Sequence, residues 1–101
     1  MAVAGADMAA MIKREISPVA FYKNELGITL TRSGWQAANC CCPFHSDTKP
    51  GSFKIHSKTG AFKCFSCNAS GADIIDYTES VHGLSFREAV QAICDAWGIR
   101  R

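Results

Sequence analysis

Two short pairs of metal-type side chains constrain this chain more than anything else in it. Cys42-Pro-Phe-His45 and Cys64-Phe-Ser-Cys67 each place two soft or borderline donors two residues apart, and 18 residues, 46 to 63, separate the pairs. A pair with that spacing sits on one tight turn and reaches one ion. Two such turns complete the tetrahedron that zinc prefers. The intervening segment must bring the turns together, and it reads as a β-hairpin. Ser52-Phe-Lys-Ile-His56 alternates, Ser57-Lys-Thr-Gly60 turns, and Ala61-Phe-Lys-Cys-Phe65 alternates back. With Ser57 to Gly60 as the loop, His56 falls opposite Ala61, Ile55 opposite Phe62 and Phe53 opposite Cys64. Those apolar pairs share one face, and Lys54 falls opposite Lys63 on the other.

This layout is that of a zinc ribbon, with Cys42, His45, Cys64 and Cys67 as the ligands of one structural Zn2+. Four protein ligands leave no position for a catalytic water. A thioredoxin-like reading of Cys64-x-x-Cys67 needs a βαβ setting, and this pair ends a hairpin. Cys40 and Cys41 adjoin Cys42 and leave a register ambiguity. Cys40 keeps the strand parity of Cys42, but only Cys42 has the two-residue spacing to His45. Cys94, on the apolar face of the last helix, reads as a buried thiol.

The chain has 101 residues, 48% of them hydrophobic and 20% charged, which suits one packed domain and excludes wholesale disorder. The N-terminal stretch is interrupted by Asp7 and followed by Lys13-Arg14-Glu15, unlike a signal peptide. No run approaches ~18 apolar residues, so no membrane span is expected. The expected location is cytoplasmic. In a reducing compartment six cysteines favour metal ligation over disulfides.

Asp7 reads as the cap of a helix with Met8, Met11, Ile12 and Ile16 on its apolar face. Ser17-Pro18 restarts it, with Val19, Tyr22 and Leu26 on one face and Gly27 as the stop. Ile28 to Arg32 alternates, Ser33-Gly34 turns, and Trp35 to Cys41 returns, which predicts a first hairpin. Ser70 reads as the cap of a helix lined by Ile74, Ile75, Thr78 and Val81 and ended by Gly83. Ser85-Phe-Arg-Glu88 is a capping box opening a helix that presents Phe86, Ala89, Val90, Ile93, Cys94 and Trp97, closed by Gly98. The expected fold is α+β: a zinc ribbon, an antiparallel sheet of hairpins, flanked by N-terminal and C-terminal helices. As one domain over 1–101 it divides into a helical lead-in at 7–27, the ribbon at 28–67 and C-terminal helices at 70–98.

Formal net charge is only +2, which conceals a segregation. Residues 23 to 65 hold six bases against two acids, whereas residues 66 to 99 hold one base against five acids. Like charges directly opposite on a sheet are destabilising, so Lys54 against Lys63 asks for an anion; two solvated lysines splaying apart is the competing reading. Lys49 and Lys58 lie in nearby loops and Arg32 at the tip of the expected first hairpin, and Trp35, Phe44 and Phe65 interleave. Cations that track a backbone, combined with rings that stack on bases, bind single-stranded nucleic acid. Trp35 and Phe65 fit either stacking or the core, whereas Phe53 and Phe62 belong to the core. Asp73 and Asp76 are read as helix-start charges rather than a catalytic pair.

Cys42-Pro-Phe-His45, the following Pro50 to Phe53, and Phe62-Lys-Cys-Phe-Ser-Cys-Asn-Ala-Ser-Gly71 resemble the zinc-binding domain of bacterial and phage DNA primases. Gly83-Leu-Ser-Phe-Arg-Glu-Ala-Val90 is similar to that family's closing helix, and the likeness covers about residues 16 to 99. The resemblance implies a zinc ribbon flanked by helices that binds single-stranded template and helps select where primers start. It puts the metal on Cys42, His45, Cys64 and Cys67. The family's Thr-Pro-Ser-Phe is here Lys49-Pro-Gly-Ser-Phe53, with Gly51 inserted, so the loop after His45 departs from the pattern. A primase also needs a polymerase domain with metal-binding acids, and no segment here reads as one.

Two functions follow. In the first, the chain is a non-catalytic domain or subunit that binds single-stranded DNA through Arg32, Trp35, Lys49, Lys54, Lys58, Lys63 and Phe65. It would work with a primase polymerase domain or replicative helicase, in a primase or a mobile-element relative. In the alternative, it is a structural zinc module that docks on such a partner without touching DNA, and the acidic helices favour that.

Overall fold

The computed structural model describes residues 5–38, 42–43 and 52–99. Cys40, Cys41, Phe44, His45 and Lys49 lie outside the described residues. The elements run α1 (Gly5–Glu15), α2 (Pro18–Leu26), β1 (Trp35–Ala37), β2 (Phe53–His56), β3 (Phe62–Cys64), β4 (Ser70–Gly71), α3 (Ile74–His82) and α4 (Phe86–Trp97). Four strands in the order β1-β2-β3-β4 form an antiparallel sheet, so the fold is the expected α+β zinc ribbon.

Helix ends follow side-chain chemistry. Ser17 accepts from the Ala20 amide at 3.1 Å ahead of Pro18, and Gly27 closes α2 in the left-handed region at φ 69°. Ser85 and Glu88 form the capping box, with the Glu88 carboxylate accepting from the Ser85 amide at 2.9 Å. The backbone and side chain of Ser85 hold the Glu88 carboxyl below the usual carboxylate range. Two expected caps differ. Helix α1 begins at Gly5, so Asp7 falls inside it. Ser70 pairs with Lys63 in β4, and α3 is capped by Asp73, which accepts from the Asp76 amide at 2.9 Å. A sheet partner for Ser70 wins over helix initiation because β3 would otherwise carry an unpaired edge.

The expected strand over Ile28 to Arg32 does not form. Strand β1 pairs instead with β2, placing Trp35 opposite His56 and Ala37 opposite Lys54. The Gln36 carboxamide takes over the bonding of the preceding loop, accepting from the Thr31 and Arg32 amides and donating to the Arg32 carbonyl. The second hairpin has the predicted register: Phe53 opposite Cys64, Lys54 opposite Lys63, Ile55 opposite Phe62. His56 donates its amide to the Ala61 carbonyl at 2.8 Å.

One apolar cluster joins the inner sheet face (Phe53, Ile55, Phe62, Cys64) to the helices. Helix α4 packs on α1 and α3 and buries Ala89, Val90, Ile93 and Cys94. Phe86, expected inward, is 39% exposed, because the first helical position precedes the turn that meets the core. Sequence periodicity missed Phe21 and Tyr77. Both are buried, and Phe21 packs edge-on against Tyr22 and Tyr77 and stacks on Trp97. Val19 and Leu26 are only half-buried beside them. The Tyr22 hydroxyl donates to the Gly60 carbonyl at 2.8 Å and ties α2 to the hairpin turn. Burial and the nearby Tyr77, Asp73, Asp76 and Glu25 push its pKa far above the ordinary value, so the donor proton stays in place.

Candidate metal centre and nucleic-acid face

Strand β3 ends at Cys64 and the chain reverses through a knuckle. The Asn68 amide donates to the Cys64 carbonyl at 2.8 Å, and Asn68 takes φ 64°, a left-handed conformation that asparagine tolerates. The Cys64 amide donates to the Ala69 carbonyl and the Phe65 amide to the Ser52 carbonyl, which pins the turn to both neighbours. Cys67 is thereby folded back over Cys64. Cys42 enters from the chain beyond β1.

The sulfurs of Cys42, Cys64 and Cys67 all lie within 4.8 Å of one another, and Cys42 and Cys67 are 3.8 Å apart. A tetrahedron with Zn–S bonds of about 2.3 Å has an edge of about 3.8 Å, so the thiols fit that ion. A disulfide needs about 2.05 Å, so Cys42 and Cys67 are not bonded to each other. Cys42 and Cys64 are buried and Cys67 is exposed. Burial opposes ionisation of Cys64. The backbone of Cys67 and Ser66 and the thiols of Cys42 and Cys67 outweigh it and hold the Cys64 thiol below its ordinary value. This is the one such grouping of potential ligands among the described residues.

The outer sheet face carries the cations. Lys54 and Lys63 are directly opposed and half-buried, and neither has an ion pair among the described residues. Lys63 Nζ lies 5.7 Å from the centre of the Phe65 ring, within cation–π range. Trp35 meets His56 edge-on at 5.5 Å. Trp35 is 53% exposed and Phe65 63% exposed, so neither ring belongs to the core. Arg32, Trp35, Lys54 and Phe65 line one groove of about 620 Å³, beside Thr31 and Gln36. Lys58 sits on the hairpin turn and borders a separate hollow with Lys13 and Asp73, away from that groove.

Sequence reasoning missed Gln36 and Ser57. The Ser57 hydroxyl accepts from the Gly34 amide at 3.0 Å and donates to the Arg32 carbonyl at 2.7 Å. The one signal for them was polar residues where the pattern called for apolar ones or for a turn.

The family model for the CHC2 zinc finger matches residues 6–101. A DNA primase of Thermotoga maritima is 35% identical over 88 residues, which are 87% of this chain and 15% of that protein. One of Deinococcus radiodurans is 34% identical over 73 residues, 72% of this chain and 12% of that protein. Among solved structures, the zinc-binding and RNA polymerase domains of the Aquifex aeolicus primase align at TM-score 0.70 and 28% identity, over 93% of this chain and 22% of that one. The chain therefore spans a small part of the length of these primases. With a thiol cluster of zinc dimensions at the knuckle, a matching family model over nearly all its length and primases among its relatives, this chain belongs to the zinc-binding CHC2 zinc-finger family of DNA primases.

Proposed function

We propose that this chain is a single zinc-ribbon domain that binds single-stranded DNA template through the outer sheet face and supports primer initiation. It acts as part of a primase or in trans with one, or with a replicative helicase, in the cytoplasm. A polymerase domain elsewhere supplies the catalysis. The observation that carries this reading is the groove where Arg32, Trp35, Lys54 and Phe65 come together, flanked by Lys63. Lys49 and Lys58 are the further cations assigned to the same role. Cations there neutralise phosphates, and the exposed rings offer faces to unstacked bases.

Cys42, His45, Cys64 and Cys67 hold one structural Zn2+. The ion supplies cross-linking of the two turns; Cys64 and Cys67 come from the β3 knuckle and Cys42 from the chain after β1. Fixing the knuckle fixes Lys63 and Phe65, which flank Cys64.

Fluorescence anisotropy with a short labelled single strand at two salt concentrations tests the reading. The parent should bind, more weakly at the higher salt. The double substitution Lys54→Glu with Lys63→Glu should weaken binding strongly. If the double variant binds as the parent does, the sheet face is not the template surface. If the parent does not bind at low salt, the chain is instead a docking module.

A further inference from the structure

Gln36 lines the groove, yet its carboxamide is already committed. Its Oε1 accepts from the Thr31 amide at 2.9 Å and the Arg32 amide at 3.2 Å. Its Nε2 donates to the Arg32 carbonyl at 2.7 Å and the Gly34 carbonyl at 3.3 Å. Both ends of the amide are used, and only one orientation of the group satisfies all four bonds. Ser57, 8% exposed, grips the same loop from the hairpin turn. Its hydroxyl bonds Gly34 and Arg32, and its amide donates to the Gly34 carbonyl at 3.1 Å. The Arg32 carbonyl thus accepts from both side chains. Gly34 itself has φ 100°, a backbone state that L side chains avoid.

The loop these residues hold has no strand of its own. Free, it would sample many conformations, and Arg32 would lose its place at the groove beside Trp35, which β1 holds opposite His56. Ordering such groups at the moment of binding weakens affinity, whereas ordering them beforehand does not.

We propose that Gln36 and Ser57 are positioning residues for single-strand binding: together they clamp the Thr31–Gly34 loop so that Arg32 stands at the groove, beside Trp35 of β1, before the strand arrives. This rests on the template-binding reading of the same groove. Neither side chain reads a base, since its polar atoms are spent on the loop.

Three measurements on the zinc-loaded chain test it. First, Gln36→Leu should speed hydrogen exchange at the Thr31 and Arg32 amides, which lose their acceptor. Second, it should weaken binding of a short labelled single strand about fivefold, the size of one unordered side chain. Third, in an Arg32→Ala background Gln36→Leu should cost much less, because it acts partly through Arg32. Ser57→Ala should produce the same pattern more mildly, and it decides the matter if Gln36→Leu lowers zinc content or helix signal.

Parental affinity in both variants, while the Lys54→Glu, Lys63→Glu double variant loses binding, overturns the clamp and leaves the template face standing. An equal loss from Gln36→Leu with and without Arg32 overturns it too. If the double lysine variant also binds normally, the template face falls and the clamp's role with it.

Discussion

Lys54→Glu should make the protein more stable and a worse ligand for single strands. Lys54 and Lys63 are cross-strand partners, and no acid among the described residues pairs with either. Opposed Cβ atoms lie roughly 5 Å apart. With the ammonium groups about 6 Å apart in water their repulsion is about 0.7 kcal/mol. Screening at physiological salt roughly halves that. Reversing one charge replaces repulsion with attraction of similar size, so the net gain is about 0.5–1 kcal/mol, in the usual range for sheet pairs. Position 54 is the better choice for the test, because Lys63 also lies over Phe65 and its loss would remove a cation–π contact. For binding, each phosphate contact to a single strand contributes a salt slope of about 0.7, or about fivefold in affinity at 0.1 M salt. Reversal removes one contact and adds one repulsion, so affinity should fall about 25-fold. Urea unfolding of the zinc-loaded variant measures the first effect, and the midpoint gain should shrink at high salt. Anisotropy titration measures the second. A variant less stable than the parent at low salt, or one with parental affinity, refutes the argument that the lysines face each other for the sake of an anion.

Gly71→Ala should cost about 1–3 kcal/mol by overpacking. A Cβ there would lie 2.5 Å from Phe62 Cε1 and 2.7 Å from Asp76 Cβ, and the Phe62 ring is only 1% exposed against Tyr77. Adding Phe62→Leu should recover part of the loss, and a strictly additive pair in chemical denaturation would sink the explanation. Cys64→Ser should drop bound zinc below one per chain by elemental analysis, and chelation of the parent should unfold at least the ribbon in circular dichroism and tryptophan fluorescence. Zinc content unchanged by Cys64→Ser would remove Cys64 from the ligand set.

The hairpin between the metal pairs was legible to the residue because two constraints agreed. Period-two alternation named the faces, and a four-residue loop from Ser57 to Gly60 set the register that pairs Lys54 with Lys63. Caps were legible where a side chain has one local use, as at Ser17 and Ser85. The failures are places where a distant partner decides. Ile28 to Arg32 alternates like a strand, but β2 already pairs with β1 and β3, and Gln36 satisfies the loop instead. Ser70 has the chemistry of a cap, but the edge of β3 claims it. Phe21 carries no helical periodicity; it is buried because Tyr77 and Trp97 converge on it from later helices. At the site, alternation put Lys54 and Lys63 on one face. It could not choose between stacking and burial for Trp35 and Phe65, because exposure at a sheet edge or knuckle depends on what covers it.

Three consecutive residues of β3 show why metal, core and template face cannot be separated here. Phe62 points inward and meets Tyr77 at 5.7 Å between ring centres. Lys63 points outward, opposite Lys54 and over Phe65. Cys64, fully buried, brings its sulfur to Cys42 and Cys67. A strand of three residues has no slack: a one-residue slip would exchange its faces, expose Phe62 and bury Lys63. Hydrogen bonds alone do not prevent this in a ladder so short. The aromatic anchor fixes one end of β3 and the thiol cluster fixes the other, so Lys63 is held between two independent locks. A zinc ion held by these thiols would therefore steady the outer face through Cys64, one residue from Lys63. A lysine set against another lysine stays in register because the inner face on either side of it leaves no alternative.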